Sequence, residues 1–346
     1  MIKNVMKKEP VLSIAVILAV ISMFVVHPDD TYASYIDFRT LAILFCLMVI
    51  VAGMREIGVF DYIAQSLLNR VKSISGIVMI LVLLCFFLSM VITNDVALIT
   101  FVPFTCSLLQ RDDQRKILLR IVVIEAAAAN LGSMATPIGN PQNLYLYSTY
   151  SFSLGTFFKT ILPIVGISYI GLLFSLLLIP QRPLASEIPT ESHLSLSAQK
   201  KNLIIYSVLG VVCLATVAGF VTHVICFCVV LLGMIVTDRA LIRRVDWELL
   251  LTFVCFFLFS GNLQQIEPVR NLMMQGLSGG VCLTAALVSQ VISNVPAAVL
   301  LSGFTEQGKE LLLGVDIGGL GTPIASLASL IAYQYYAKSK LANPAK

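Results

Sequence analysis

The chain has 346 residues, of which 58% are hydrophobic and 12% charged, with a formal charge of +4 and a mean hydropathy of +0.92. A soluble domain of this composition would expose large apolar patches, so the bilayer is the solvent and a soluble catalytic domain is excluded. A spanning helix needs about 20 apolar residues, which leaves room for roughly ten membrane segments joined by short loops.

The first apolar run, 11 to 26, follows the basic stretch Lys3, Lys7 and Lys8. No small-x-small cleavage site follows it and further spans do, so it reads as a retained helix and not a signal peptide. Runs 40–54, 76–109, 117–150 and 157–179 come next. A linker at 180–202, with Pro, Ser and mixed charge, leads to runs 203–222, 224–237, 249–263, 278–304 and 311–336. A cytoplasmic N-terminus puts nineteen Lys and Arg on the inside and only Arg39, Lys159, Arg270 and Lys309 outside, a strong positive-inside bias. The bias requires runs 76–109 and 278–304 each to enter and leave on one side. Run 278–304 has 27 residues. That is about 40 Å of helix against roughly 60 Å for two crossings, so it dips in and returns.

At an offset of 200 residues, Ser89, Val91, Ile92, Asn94 and Ala97 match Ser289, Val291, Ile292, Asn294 and Ala297, and Thr93 faces Ser293. Gly132 and the triplet Thr136, Pro137, Ile138 recur as Gly318 and Thr322, Pro323, Ile324, while IDFR at 36–39 resembles VDWE at 245–248. The expectation is an all-α polytopic membrane protein made of two copies of one unit. Residues 1–179 carry the re-entrant hairpin 76–109 and the broken helix 117–150. Residues 203–346 carry the hairpin 278–304 and the broken helix 311–336, and 180–202 is the cytoplasmic linker. The charge map opens the two hairpins to opposite sides, the mark of inverted repeats meeting at a central site. The first copy has a span, 157–179, after its broken helix; the second has no equivalent and reads as one helix short.

Four breaks interrupt the helices, and irregular backbone at membrane depth is tolerated only where protein or a wet cavity satisfies it. Two are hairpin tips, at Thr93, Asn94 and Asp95 and at Ser293 and Asn294. The others are TPIGNPQN, with Thr136, Pro137, Gly139, Asn140 and Asn143, and GTPIAS, with Gly321, Thr322, Pro323 and Ser326. Such breaks free carbonyl and hydroxyl oxygens for a hard cation, and helix N-termini that suit an anion. One break alone would be an ordinary Pro/Gly kink; four, paired by a repeat, point to a site. Three acids lie in apolar runs: Asp95, Glu125 and Asp316. A charge near the bilayer centre costs about 2.5–3.5 kcal/mol, so these are expected to couple transport to a proton or cation.

The eight cysteines all sit in apolar stretches and read as packing residues. Cys226 and Cys228 lack a histidine or second cysteine pair at zinc spacing, so no metal site is expected. His27, His193 and His223 fall in loops, no HExxH occurs, and GFTEQGKE at 303–310 ends in Glu where a phosphate loop needs Ser or Thr. The chain is not expected to be an enzyme.

The ordered set SMVITNDVALITFVPF, EAAAANLGSMATPIGNPQN, SQVISNVPAAVLLS and GGLGTPIASLAS resembles the ion transporter superfamily, in its citrate-transporter-like branch with arsenite permeases and sodium/proton antiporters. The likeness covers nearly the whole chain. It implies the fold of divalent anion/sodium symporters: a scaffold, a moving unit with two re-entrant hairpins, a homodimer and elevator-type alternating access. It further implies one cation site at Thr93 and Asn94 with loop 136–140, a second at Ser293 and Asn294 with loop 321–326, and substrate between the tips. Dicarboxylate symporters of this kind carry Ser-Asn-Thr at both tips, whereas the third positions here are Asp95 and Val295. The expected function is an ion-coupled secondary transporter in the cell (inner) membrane. Its solute is a small anion such as citrate or another di- or tricarboxylate, sodium or a proton is the coupling ion, and neither cofactor nor nucleic acid takes part. The alternatives are an arsenite efflux permease or sodium/proton antiporter, which Asp95 favours, and a truncated, transport-inactive membrane protein.

Overall fold

The computed structural model describes residues 10–71, 73–109, 115–179 and 199–339. The N-terminal basic stretch and residues 180–198 of the linker lie outside them. The described chain is helical, and seven of its helices are long and apolar enough to cross a membrane, or eight spans if one bent pair counts as a single span.

In chain order the helices are α1 (Pro10–Val25), a one-turn α2 (Tyr32–Tyr35), α3 (Phe38–Glu56), α4 (Val59–Leu68), α5 (Ile74–Ile92), α6 (Asn94–Leu108), α7 (Arg115–Met134), α8 (Pro141–Thr149) and α9 (Leu154–Leu177). There follow α10 (Lys200–Val217), α11 (His223–Asp238), a 3-10 turn at Arg239–Arg244, α12 (Trp247–Gln265), α13 (Glu267–Ser278), α14 (Val281–Ile292), α15 (Asn294–Ser302), α16 (Gly308–Gly318) and α17 (Leu327–Lys338). Every expected break is present: α5 gives way to α6 at Thr93, α14 to α15 at Ser293, α7 stops before 135–140, and α16 stops before 319–326.

Two details go beyond the sequence reading. α5 has 19 residues, about 28 Å of helix, so the leading arm of the first hairpin has spanning length by itself. The second hairpin is preceded by α13, and α13 and α14 meet at a bend of 114°.

The chain forms two compact units that interleave along the sequence. The first draws on Met1–Gly53, Leu144–Ser153 and Ile205–Gly318; the second draws on Met54–Asn143, Leu154–Ile204 and Gly319–Lys346. The hairpins therefore fall in different units, whereas the family resemblance places both in one moving body.

In the first unit α12 packs against α1 and α15, and α16 packs against α14 and α15. Polar ties cross this apolar core: Asn262 donates to the Ser22 hydroxyl at 2.9 Å, and the Ser260 hydroxyl donates to the Val299 carbonyl at 3.1 Å. In the second unit α5 packs along α7, and α17 packs against α6 and α7. Gly132 permits the α5–α7 approach, because a Cβ there would collide with the Phe86 carbonyl oxygen and the Ser89 hydroxyl. In the first unit Gly318 plays the same part, and a Cβ on it would lie 2.6 Å from the Ser289 Cβ.

Candidate functional site

The second unit holds the first hairpin tip. Thr93, between α5 and α6, has φ 73° and ψ 152°, a region essentially reserved for glycine; holding another residue there costs of order 1–3 kcal/mol. The strain lets α6 start at once: the Thr93 carbonyl accepts from Ala97 N at 3.1 Å, and the Asn94 side-chain oxygen accepts from Asp95 N at 3.0 Å. Asn94 is buried, and Thr93 and Asp95 are half-buried.

Asn94 also faces away from its own turn. Its amide donates to the Asn130 side-chain oxygen on α7 at 2.8 Å. The Ser326 hydroxyl, at the start of α17, donates to the same oxygen at 3.0 Å, and the Asn130 amide donates to Ser329 at 3.1 Å. Three chain segments thus converge on one buried amide. Asn130 and Ser329 were not among the residues singled out from sequence. Asn130 was visible only as an amide five residues beyond Glu125 in EAAAANLG, and its helix phase alone does not show what it meets.

The adjoining break, 135–140, is buried apart from the half-buried Thr136. The Thr136 hydroxyl donates to the Met90 carbonyl at 2.5 Å, just before the tip. Asn140 donates to the Ser133 hydroxyl at 3.3 Å and accepts from Asn143 N at 2.9 Å. The Asn143 amide holds the carbonyls of Met134 and Thr136, each at 3.2 Å, while its own side-chain oxygen is buried with no hydrogen-bond partner. Gly139 fits beneath Ser133, whose carbonyl a Cβ would strike, and Pro137 is buried beside it. The other break is unlike this one: Gly321, Thr322 and Pro323 are exposed, and Ser326 is 1% exposed.

Glu125, on α7, is fully buried. The Thr105 hydroxyl of α6 donates to one of its oxygens, and the other oxygen has no partner. Among the described residues no Lys, Arg or His pairs with it. A buried carboxylate so placed is an uncompensated charge unless it holds a proton or a cation.

The first unit holds the second tip. Ser293 has φ 78° and ψ 156°, within 5° of Thr93 in both angles. Its carbonyl accepts from Ala297 N at 3.1 Å, and the Asn294 side-chain oxygen accepts from Val295 N at 2.8 Å. Ser293 and Asn294 are buried, and so is Asp316 on α16. The register that equates Gly132 with Gly318 also equates Asn130 with Asp316, so an acid stands at the second position where an amide serves the first.

Three cysteines do not behave as scattered packing residues. Cys46, Cys213 and Cys226 come together in the first unit with their sulfurs within 4.8 Å of one another, although sequence spacing gave no reason to group them.

A helical membrane frame with two strained helix-to-helix turns and two interrupted helices, whose breaks bury amide and hydroxyl oxygens, has the make-up of a multi-span secondary transporter. The chain belongs to the citrate transporter family (CitMHS), whose pattern matches residues 2–307. It is 32% identical over 321 residues to an uncharacterised transporter of Methanocaldococcus jannaschii, covering 92% of this chain and 86% of that protein. It is 31% identical over 321 residues to the inner membrane protein YbiR of Escherichia coli K12, covering 90% and 83%. A 46 kDa membrane protein of Mycobacterium leprae is 26% identical over 355 residues, covering 90% and 82%. The family is one of transporters and not of enzymes, and the citrate-transporter-like resemblance read from the sequence holds, with three of its four motifs inside the matched residues.

Proposed function

We propose that the chain is an ion-coupled secondary transporter of the inner membrane that moves a small anion of the di- or tricarboxylate class, with sodium or a proton as the coupling ion. The observation that carries this reading is the matched backbone of the two tips. Thr93 and Ser293 share one strained conformation, each followed by an asparagine that closes the first turn of a new helix. Strain of this kind persists where function requires it. The helix N-termini at Asn94 and Asn294 present partial positive charge to an anion. The cluster of Asn94, Asn130, Ser326 and Ser329 supplies the neutral oxygens that hard cations prefer. Asp95, beside the first tip, would repel an anion unless neutralised, which ties solute binding to the coupling ion.

The same matched tips, with glycines 132 and 318 in matching packing roles, support the reading of 1–179 and 203–346 as inverted repeats around the linker 180–202. Elevator-type alternating access in a homodimer follows from the family resemblance. Residues Thr93, Asn94, Thr136, Asn140, Asn143, Ser293, Asn294 and Ser326 are assigned to cation and solute binding, and Asp95, Glu125 and Asp316 to coupling.

The test is uptake of labelled citrate and succinate into proteoliposomes under an imposed sodium or proton gradient. Gradient-driven uptake that is lost in both Asn94→Ala and Asn294→Ala is the expected result. Exchange of sodium for protons without carboxylate uptake, or extrusion of arsenite, would overturn the anion assignment in favour of the antiporter or arsenite branch.

A further inference from the structure

We infer that the first unit contains a site for a soft, monovalent thiophilic cation of the copper(I) class, formed by Cys46, Cys213 and Cys226. Each thiol comes from a different helix: Cys46 from α3, Cys213 from α10 and Cys226 from α11. All three are fully buried. Their sulfurs all lie within 4.8 Å of one another, and those of Cys213 and Cys226 are 3.6 Å apart. A planar three-coordinate ion with metal–sulfur bonds of about 2.3 Å needs sulfurs about 4.0 Å apart. The cluster therefore reaches the required triangle by small rotations of side chains already in place.

The surrounding packing holds that arrangement. The rings of Phe45 and Phe227, each next to a cluster cysteine in sequence, lie 5.3 Å apart and tie α3 to α11. Gly53 accepts the ring of Tyr206 against its backbone and so ties α3 to α10.

The identity of the ion follows from donor type and number. Thiolates select soft metals, with copper(I) and zinc foremost. Zinc in structural sites is almost always four-coordinate, and among the described residues no fourth Cys, His, Asp or Glu atom joins the three sulfurs. Full burial leaves no open position for water. A d10 monovalent ion is satisfied by three sulfurs, and because each cysteine binds metal as its thiolate, loading releases the three thiol protons. Cys226 lies four residues beyond Thr222 in the α10–α11 connection, about 6 Å of helix, which places the cluster roughly one turn from that connection. The bound ion would clamp α3 to the α10–α11 pair. None of the cluster's three residues belongs to the set assigned to transport.

The experiment uses the full chain in detergent, kept reduced, with the exposed Cys228 first blocked by N-ethylmaleimide. Copper(I) is titrated against a competing chelator, and X-ray absorption then counts the sulfurs. The expected result is one tightly held copper(I) per chain with three sulfur neighbours, together with a raised melting temperature. Affinity should fall at least tenfold in Cys46→Ala, Cys213→Ala and Cys226→Ala and stay unchanged in Cys255→Ala, which removes a buried thiol of α12 outside the cluster. If the cluster variants do not fold, the sulfur count in the unsubstituted protein decides alone. No tight equivalent, two sulfurs in place of three, binding retained in the cluster variants, or a preference for zinc(II) would each overturn the site. So would a Cys213–Cys226 disulfide in unreduced protein that cannot be loaded after reduction.

Discussion

At the residue scale the chemistry turns on a few buried polar atoms. Glu125 has one oxygen held by Thr105 and one without a partner. Glu125→Gln keeps an acceptor for Thr105 while removing the ionisable group, so the protein is expected to fold and still exchange solute. Gradient-driven uptake should fall by about tenfold or more, equivalent to 1.4 kcal/mol or more of lost coupling; unchanged pH and sodium dependence in this variant would remove Glu125 from the coupling assignment. Asn130→Ala should cost about 1–3 kcal/mol, because the Asn94 amide and the Ser326 hydroxyl lose their shared acceptor. Chemical denaturation in mild detergent measures that cost. Thr93→Gly and Ser293→Gly carry the opposite sign for stability, since glycine takes the observed backbone angles freely. Each should gain about 1 kcal/mol in the same assay and lose transport with the hydroxyl.

At the element scale the breaks were legible in sequence and the partners of each break were not. Pro137 and Pro323 interrupt helices for local reasons, whereas the tips at Thr93 and Ser293 are located in sequence by the repeat and the charge map. Which helix then packs against the gap depends on small residues far away. Gly132 and Gly318 are such residues, each seating its helix against a hairpin arm through Phe86 and Ser89 or through Ala286 and Ser289. Gly132→Ala and Gly318→Ala should each destabilise by about 1–3 kcal/mol through overpacking. Similar losses of melting temperature from the two would support one packing role used twice, and indifference at either position would argue against it. The buried break 135–140 and the exposed stretch 321–324 show that matching sequence does not guarantee a matching environment.

At the scale of the whole molecule the proposed transporter binds its coupling ion and solute together, so stability itself reports function. A ligand at a hundred times its Kd adds about 2.7 kcal/mol to the native state. Citrate or succinate is expected to raise the melting temperature in sodium and not in choline if sodium is the coupling ion. Stabilisation by sodium alone, with no carboxylate effect, would instead point to an antiporter. The interleaving of the two compact units, which gives 1–53 and 144–153 to the unit of the second hairpin and 319–346 to that of the first, was not legible in the sequence, which presents two sequential copies.

By itself the sequence determined the membrane class, the helical architecture, the four breaks and the family, because hydropathy, helix-breaking residues and ordered motifs are local properties that survive without knowledge of contacts. Tertiary structure alone decided which side chains meet. Asn94 reaches Asn130 across 36 residues, and Ser326 reaches the same amide across 196. Thr105 finds Glu125, and three thiols from α3, α10 and α11 close into a triangle. These meetings depend on helix rotation and on the depth at which helices pack. Small residues on distant segments set both, and no spacing within a single helix encodes them.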